Sequence, residues 1–304
     1  MAFFMKYTRN KGEIVFDWFN WFIMLGVMIA TLYPLLHVLA VSLNEPNDAL
    51  AGGIGIIPRR FSIASYQAVF ISPNLINAIF ISVSRTILGT ATSVVITSMT
   101  AYAMLDVKMP GYKGIYRFFV ISMFIGGGLI PTFLLYRSLG LYNNFLVYIL
   151  PRTFGVFNMI LFRTYMKQIP AEMEESAMLD GAKELTIFFR IMIPLSLPII
   201  ATISLWAAVG QWNAWQDTLF FTNNPRLESL QYMLMKVLRQ SEAAQISREA
   251  QRTMRERTLQ NMTVITAESI KMAITIVATA PIIIVYPFVQ RYFIKGIMIG
   301  AVKG

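Results

Sequence analysis

Residues 169–194 read IPAEMEESAMLDGAKELTIFFRIMIP, a polar segment between two long apolar ones. Pro170 suits the first position of a helix, because its missing N–H would have no partner there. The glutamates that follow favour the positive end of the helix dipole, and Gly181 then ends a run of good helix formers. A second short helix is expected at residues 182–191, with Pro194 ending it. The sequence therefore predicts a hairpin of two short helices joined by a glycine turn.

The hairpin (residues 169–194) is too polar to cross a bilayer and too helical to be an irregular loop. Met173, Ala177 and Met178 give its first helix an apolar stripe at helical spacing. Such a helix fits a groove on a partner protein, and it fits the surface of a membrane equally well. The residues alone leave both interpretations open.

The rest of the chain is dominated by long apolar blocks. Of its 304 residues, 56% are hydrophobic and 14% are charged, whereas a soluble globular protein carries about 25% charged residues. We therefore predict an all-α integral membrane protein with six transmembrane helices. The net charge of +10 is better explained by anchors at the lipid surface than by nucleic acid, since no soluble basic domain is visible.

Composition also excludes several kinds of site. The chain has no cysteine and a single histidine, His37. It therefore contains no thiolate metal site and cannot build a histidine-based metal site or a catalytic triad. A packing or interfacial role is favoured for His37. A membrane enzyme is disfavoured, because no convincing carboxylate pair or metal cluster adjoins the spans.

The chain divides into a basic N-terminal segment at residues 1–17, one transmembrane domain at 18–294 and a short tail at 295–304. Six spans put both ends on the same side, and the positive-inside rule places that side and the hairpin in the cytoplasm. The long polar loop at 222–268 then falls outside, although it is rich in arginine. The predicted spans lie at residues 18–43, 74–105, 115–136, 145–165, 195–221 and 269–293.

The hairpin contains a pattern of three short parts, in which three residues separate the first part from the second and nine residues separate the second from the third. The parts are Glu175, Ser176 and Ala177, then Gly181, then IMIP at 191–194. This pattern resembles the EAA loop of ATP-binding-cassette importer permeases, which reads Glu-Ala-Ala, three residues, Gly, nine residues and Ile-x-Leu-Pro. Ser176 and Ile193 depart from it but keep the size and character of the family residues. Asp180 before Gly181 resembles the carbohydrate-importer branch, whose second, maltose-importer-G-like permease the chain looks like.

The likeness extends over roughly residues 14–304. The sequences YFIKG at 292–296 and GAVKG at 300–304 resemble the C-terminal signature of that branch. The sequence YPFVQ at 286–290 resembles the subgroup that imports complex oligosaccharides, including alginate. The resemblance implies a permease subunit of a binding-protein-dependent importer in a bacterial plasma (inner) membrane.

The resemblance also implies the partners. A second homologous permease, a dimer of ABC ATPases and an extracytoplasmic solute-binding protein would join this chain, with membrane lipid around it and a carbohydrate as substrate. The chain itself would bind no cofactor and no nucleic acid and would be non-catalytic. It lacks the phosphate-binding motif GxxxxGK[ST], so ATP and Mg²⁺ would be used by the separate ATPase.

Coupling is the role that the resemblance gives to the hairpin, whose first helix would dock in a cleft of the ATPase. Glu175 would contact the ATPase or brace the hairpin, and Ala177 would allow close approach. Gly181 would supply the turn that aims the helix, because a side chain there disfavours positive φ. Ser176 and Asp180 complete the expected coupling set.

The end of the predicted fifth span is a candidate for the sugar pathway. It combines aromatic faces with hydrogen-bonding groups, which suits sugar rings, in Gln211, Trp212, Asn213, Trp215 and Asp217. An aromatic belt at the outer membrane interface is the alternative. The 222–268 loop is a candidate contact for the binding protein, with a solvated surface helix as the alternative.

A secondary active transporter of a small polar solute is the competing function. It would need proton- or ion-coupling groups near the middle of the membrane. The candidates within the spans are His37, Arg85 and Asp217, and none is clearly central.

Overall fold

The computed structural model describes residues 11–50, 52–240 and 267–301. This part of the chain contains helices, short helical turns and one isolated antiparallel bridge between Asn44 and Phe61, but no β-strand. The predicted N-terminal segment, the 222–268 loop and the tail fall partly outside the described residues, and the charged middle of that loop falls wholly outside them.

Fourteen helices are present in the described ranges, and three short 3-10 turns and one π-helical segment interrupt them. The helices are α1 (Lys11–Ser42), α2 (Pro46–Leu50), α3 (Ala64–Ile71), α4 (Pro73–Ala103), α5 (Tyr112–Met123), α6 (Leu129–Ser138), α7 (Val156–Met166), α8 (Ala171–Leu179), α9 (Glu184–Ile187), α10 (Ile193–Leu195), α11 (Leu197–Asn213), α12 (Gln216–Phe221), α13 (residues 230–240) and α14 (Ala267–Ala301). The 3-10 turns are Phe145–Tyr148, Leu150–Arg152 and Pro225–Leu227, and the π-helical segment is Phe188–Met192.

Among the residues that the structure describes, two helices are long and apolar enough to cross a membrane by themselves. They are α1, over Gly12–Ser42, and α4, and each supplies 31 residues. They correspond to the first two predicted spans. Serine, threonine and alanine line the buried face of α4, which fits close helix packing in lipid.

Two further segments pass the same test of length and composition only as bent pairs of helices. Phe145–Arg152 and Val156–Met166 meet at 47°, and Glu184–Leu195 and Leu197–Asn213 meet at 84°. The predicted third span is two separate helices, α5 and α6, with residues 124–128 between them. The described residues therefore hold up to four spans that satisfy length and composition, and the number six stays a prediction.

Pro194 does not end the second arm of the hairpin, contrary to the expectation. The helical path runs through α9, the π-helical segment and α10 to Leu195. The change of helix type places Pro194 within the first two positions of α10, where a proline removes no intrahelical hydrogen bond. The bend lies at Ser196, the residue that follows the last residue of α10, Leu195.

The chain forms two compact units. The first holds residues 1–71 and 243–277, and the second holds 72–242 and 278–304. In the first, His37 Nδ1 lies 3.1 Å from the Gly55 carbonyl oxygen and the ring stacks on Tyr33, which fits the packing role. The apolar surface of α1 is not covered within the described chain, so lipid or another subunit must cover it.

A polar loop follows α1 in the same unit. Asn44 is fully buried and donates from Nδ2 to Asp48 Oδ2 at 2.8 Å. Arg59 Nε donates to the same carboxylate oxygen at 3.1 Å. The hydrogen bond from Asn44, helped by Arg59 and opposed by burial, lowers the pKa of Asp48 below its ordinary value. The loop is thus ordered by a charged carboxylate.

The described residues of the second unit form two apolar cores. One lies between α4, α7 and the second arm of the hairpin, and the other includes Tyr148 and Phe221. The first core places Ile187, Phe188 and Met192 of the arm against Phe162 of α7. The second arm is therefore part of the body of this unit.

Candidate functional site

The first arm of the hairpin is α8, which carries Glu172 and Glu174 in its first turn. Gly181 follows it with a φ of +78°, the left-handed conformation that glycine adopts without strain. The N–H of Gly181 donates to the Met178 carbonyl oxygen and that of Ala182 to the Ala177 carbonyl oxygen, each at 3.0 Å. These bonds satisfy carbonyl groups at the helix end and turn the chain back.

The predicted coupling residues lie on the open side of this arm. Glu175, Ser176, Asp180 and Gly181 are exposed, whereas Ala177 is half-buried against the first core. Large apolar side chains stand beside them in solvent, with Met173 and Met178 about half exposed and Leu179 89% exposed. The arm thus presents an exposed surface of mixed apolar and acidic side chains.

Tyr102, at the end of α4, ties the two arms together. Its hydroxyl oxygen lies 2.8 Å from Glu174 Oε1 on the first arm and 2.9 Å from Glu184 Oε2 on the second. The hydroxyl has a single proton, so it donates to one of these carboxylates at a time when both are ionised. Sequence reasoning missed this contact, because nothing local marks the two glutamates as neighbours of residue 102.

Arg163 of α7 forms hydrogen bonds at the C-terminal end of α4. Its Nε donates to the Met104 carbonyl oxygen at 2.7 Å, and its Nη2 donates to the Tyr112 hydroxyl. A cation suits the carbonyl end of a helix. The guanidinium also lies over the rings of Tyr112 and Tyr116, so the support of Tyr102 is itself braced.

A groove of about 730 Å³ separates the end of α4 from the hairpin. Apolar side chains such as Met99 and Phe188 line it, together with Lys108 and the carboxylates Glu174 and Glu175. The predicted coupling surface therefore continues into a recess, and is not a flat helix face.

A second polar site lies at the other end of α11, around Arg85. The Arg85 side chain is 0% exposed. Its Nε and Nη2 donate to Gln211 Oε1 at 3.2 and 3.1 Å, and its Nη1 donates to the Ala214 carbonyl oxygen at 2.8 Å. Nη2 also donates to Asp217 Oδ2 at 2.6 Å, and the guanidinium lies 4.2 Å from the centre of the Tyr148 ring. The buried cation is thus paired and hydrogen-bonded on every side, as burial of a charge requires.

Asp217 serves a second arginine. Arg152 Nη2 lies 3.3 Å from Asp217 Oδ1 and 3.2 Å from Oδ2, and the Arg152 side chain is 43% exposed. Two guanidinium groups therefore share one carboxylate, which leaves this cluster (Arg85, Arg152 and Asp217) with a net positive charge.

The residues predicted for the sugar pathway divide between several environments. Gln211 and Asp217 meet at Arg85, whereas the buried Trp212 donates from Nε1 to the Ala278 carbonyl oxygen at 2.9 Å. Trp215 is half-buried with the Arg239 guanidinium 5.5 Å from its ring. The structure does not gather the five side chains in one site, and the exposed Asn213 stands apart.

Sequence reasoning treated Arg85 only as a possible ion-coupling group and passed over Arg152. A signal was present, because an arginine inside an apolar span must find a carboxylate. Asp217 is the only acidic residue within the predicted spans after residue 106, so the pair could have been proposed from the sequence.

Comparison with known proteins places the chain in a family. A sequence model described as "binding-protein-dependent transport system inner membrane component" matches residues 1–299. The protein LplC of Bacillus subtilis is 35% identical over 97% of both chains. The polygalacturonan/rhamnogalacturonan transport system permease protein YtcP of the same organism is 35% identical over 93% of this chain and 96% of its own.

Solved structures give the same result. A permease chain in the crystal structure of a bacterial ABC transporter involved in import of the acidic polysaccharide alginate superimposes with a TM-score of 0.82. It is 27% identical, and the match covers 94% of this chain and 99% of that one. A chain from a bacterial alginate ABC transporter in complex with its periplasmic protein shares the fold with a TM-score of 0.60 and 16% identity, over 92% and 95% of the two chains. This protein therefore belongs to the family of inner-membrane components of binding-protein-dependent transport systems.

Proposed function

We propose that this chain is a transmembrane permease subunit of a binding-protein-dependent ABC importer and forms half of the pathway for an oligosaccharide. The family match over residues 1–299 carries the proposal. The similarity to an alginate-transporter chain over 99% of that chain supports it. The substrate class follows the relatives, whose names give polygalacturonan, rhamnogalacturonan and alginate. We infer an acidic or otherwise complex oligosaccharide.

The hairpin is the proposed contact with the ATPase. Its first arm offers exposed acidic and apolar side chains, Glu175 and Leu179 among them, and its second arm lies in the core of the same unit. A push on the first arm would therefore reach the body of the permease. ATP hydrolysis and Mg²⁺ binding belong to the separate ATPase dimer in this proposal, and this chain is its non-catalytic partner.

The proposed assembly contains a second, homologous permease and an extracytoplasmic solute-binding protein. The uncovered apolar surface of α1 supports contacts with lipid and with another membrane subunit. Six spans with both termini in the cytoplasm, and an external loop at 222–268 that meets the binding protein, complete the proposal.

The competing secondary transporter gains nothing from the polar cluster. Two of its three in-span candidates, Arg85 and Asp217, are bound to each other at 2.6 Å. Neither can bind an ion without breaking this ion pair, which is costly because it leaves the buried charge of Arg85 uncompensated.

The test is purification of the tagged chain from its native membrane in a mild detergent, followed by mass spectrometry and uptake assays in proteoliposomes. We expect a second permease and an ATPase to copurify and uptake of an oligosaccharide to require both ATP and the binding protein. A chain that purifies alone and transports without ATP, with uptake abolished by a protonophore, would overturn the proposal.

A further inference from the structure

A small cavity lies in the second unit, where the predicted fourth span is broken. The break falls at residues 153–155, between Leu150–Arg152 and α7, and the two halves meet at 47°. Non-helical backbone at membrane depth is tolerated where it is covered by protein or lines a water-filled cavity. The cavity holds about 190 Å³ and is lined by Ser93, Arg152, Asn158, Trp206 and Gln211.

The size of the cavity limits what it can take. Pockets for whole drug-sized molecules measure about 300–1,000 Å³, so this one fits a single sugar unit or smaller group. It is partly open to its surroundings and is not a closed cavity. A longer chain could therefore place one residue in it and continue outside.

Several polar groups in the cavity wall make no hydrogen bond to any of the described residues. Ser93 is 6% exposed, and its hydroxyl makes no hydrogen bond to any of the described residues, nor does the amide of Asn158. Arg152 uses only Nη2, on Asp217. Its Nε and Nη1 find no partner within the described chain. The Ser93 hydroxyl, the Asn158 amide and the free N–H groups of Arg152 thus belong to residues that line the same cavity.

Gln211 has the opposite character and forms a fixed wall. Its Oε1 accepts from Arg85, and its Nε2 donates to the Tyr148 carbonyl oxygen at 3.0 Å. Gly89 admits it, because a Cβ at residue 89 would lie 2.8 Å from Gln211 Cδ. The wall is therefore built by a close approach of α4 to α11. Any side chain at residue 89 would collide with the side chain of Gln211.

The charge of the cavity points to its ligand. Asp217 is shared between Arg85 and Arg152, so one positive charge is left without a counterion, and Arg152 is the arginine that lines the cavity. Each free N–H of Arg152 donates a charge-assisted hydrogen bond to a carboxylate, which such a bond favours over a neutral acceptor. Trp206, with 48% of its surface exposed at the cavity edge, offers a flat apolar face to a sugar ring.

We propose that this cavity is a subsite for one uronate residue of the transported oligosaccharide. Arg152 binds the carboxylate, Ser93 and Asn158 hydrogen-bond the hydroxyl groups, and Trp206 packs against the ring. The subsite rests on the proposed import of an oligosaccharide and adds a residue that selects acidic over neutral sugars.

The absence of cysteine from the chain permits a test that does not depend on transport. Ser93→Cys places a single thiol in the cavity of the purified full complex. The rates of its reaction with an anionic (sulfonatoethyl) and a cationic (aminoethyl) methanethiosulfonate are then measured. We expect Arg152→Gln to lower the anionic-to-cationic rate ratio about tenfold. One unit charge about 6 Å away in a water-like dielectric has this effect on two reagents of opposite sign.

Arg137→Gln is the matched control, because Arg137 is exposed at the end of α6 and outside the cavity wall. It should leave the ratio unchanged. An unreactive thiol, or a ratio that Arg152→Gln does not alter, would overturn the subsite. If Arg152→Gln does not assemble, Arg152→Lys replaces it. The ratio should then persist, while the protection described next should weaken at least threefold.

A second measurement on the same thiol identifies the ligand. Trigalacturonate should slow the reaction of the thiol at residue 93, and maltotriose at the same concentration should not. Equal protection by both sugars, or by neither, would overturn the assignment to uronate. A complex that shows the anion preference but imports no oligosaccharide would instead overturn the proposed function, so the two failures are distinguishable.

Discussion

Replacing Asp217 by asparagine should destabilise the protein far more than a surface charge change does. Asparagine keeps the shape of the side chain and removes the charge that Arg85 meets at 2.6 Å. Arg85 is fully buried, and Asp217 is its only carboxylate partner among the described residues. Breaking a buried ion pair from one side costs about 3–5 kcal/mol, because it leaves an uncompensated charge.

The assay is thermal unfolding in detergent, followed by tryptophan fluorescence. A loss of about 3 kcal/mol corresponds to a decrease in Tm of about 6–12 °C for a domain of 150–250 residues, and somewhat less for a longer chain. Glu172→Gln, at an exposed position on α8, is the control and should shift Tm by less than about 1 °C. The double variant Arg85→Met with Asp217→Asn should recover much of the loss, because the buried charge is gone. Wild-type stability of Asp217→Asn would refute the reasoning.

Three further variants test other parts of the structure. Gly181→Val should leave the protein inserted but abolish transport, because valine is strained at a φ of +78°; normal uptake would contradict the role of the turn. Gly89→Ala should displace the side chain of Gln211 and cost about 1–3 kcal/mol of unfolding free energy, and an unchanged Tm would show that the wall adapts. Tyr102→Phe should loosen the hairpin by about 1 kcal/mol, seen as faster hydrogen exchange at residues 171–187 and lower ATP-driven uptake. Tyr142→Phe, whose hydroxyl has no partner among the described residues, should change neither, and equal effects of both variants would argue against the tie between the arms.

Local signals explain what the sequence predicted well. Gly181 and the glutamates of α8 encode a helix and its end within about ten residues, and α4 is a mostly apolar run of 31 residues. Such features depend on near neighbours in the chain, so they can be recognised without a structure.

Long-range pairing explains what was missed. Arg85 and Asp217 are separated by 132 positions in the sequence. Tyr102 is likewise far from its two glutamates, which lie 72 and 82 positions away. No periodicity marks these partners. The helical path also continues past Pro194 to Leu195, after a π-helical segment whose Phe188 and Met192 are buried in the core, and no local signal in the sequence marks that segment.

The second arm of the hairpin and α11 meet at 84° at Ser196, so a rotation about this bend moves the far end of α11 relative to the hairpin. The 17 residues of α11 span roughly 25 Å, so a rotation of about 10° at Ser196 moves the far end by about 4 Å. That displacement exceeds the length of any hydrogen bond between Gln211 and Arg85. Spin labels at the exposed residues Leu179 and Asn213 would record the motion as a change in distance during ATP turnover, and a constant distance would exclude it. Under the proposed contact between the hairpin and an ATPase, the stiffness of this single bend sets how much of a movement of the hairpin reaches the far end of α11.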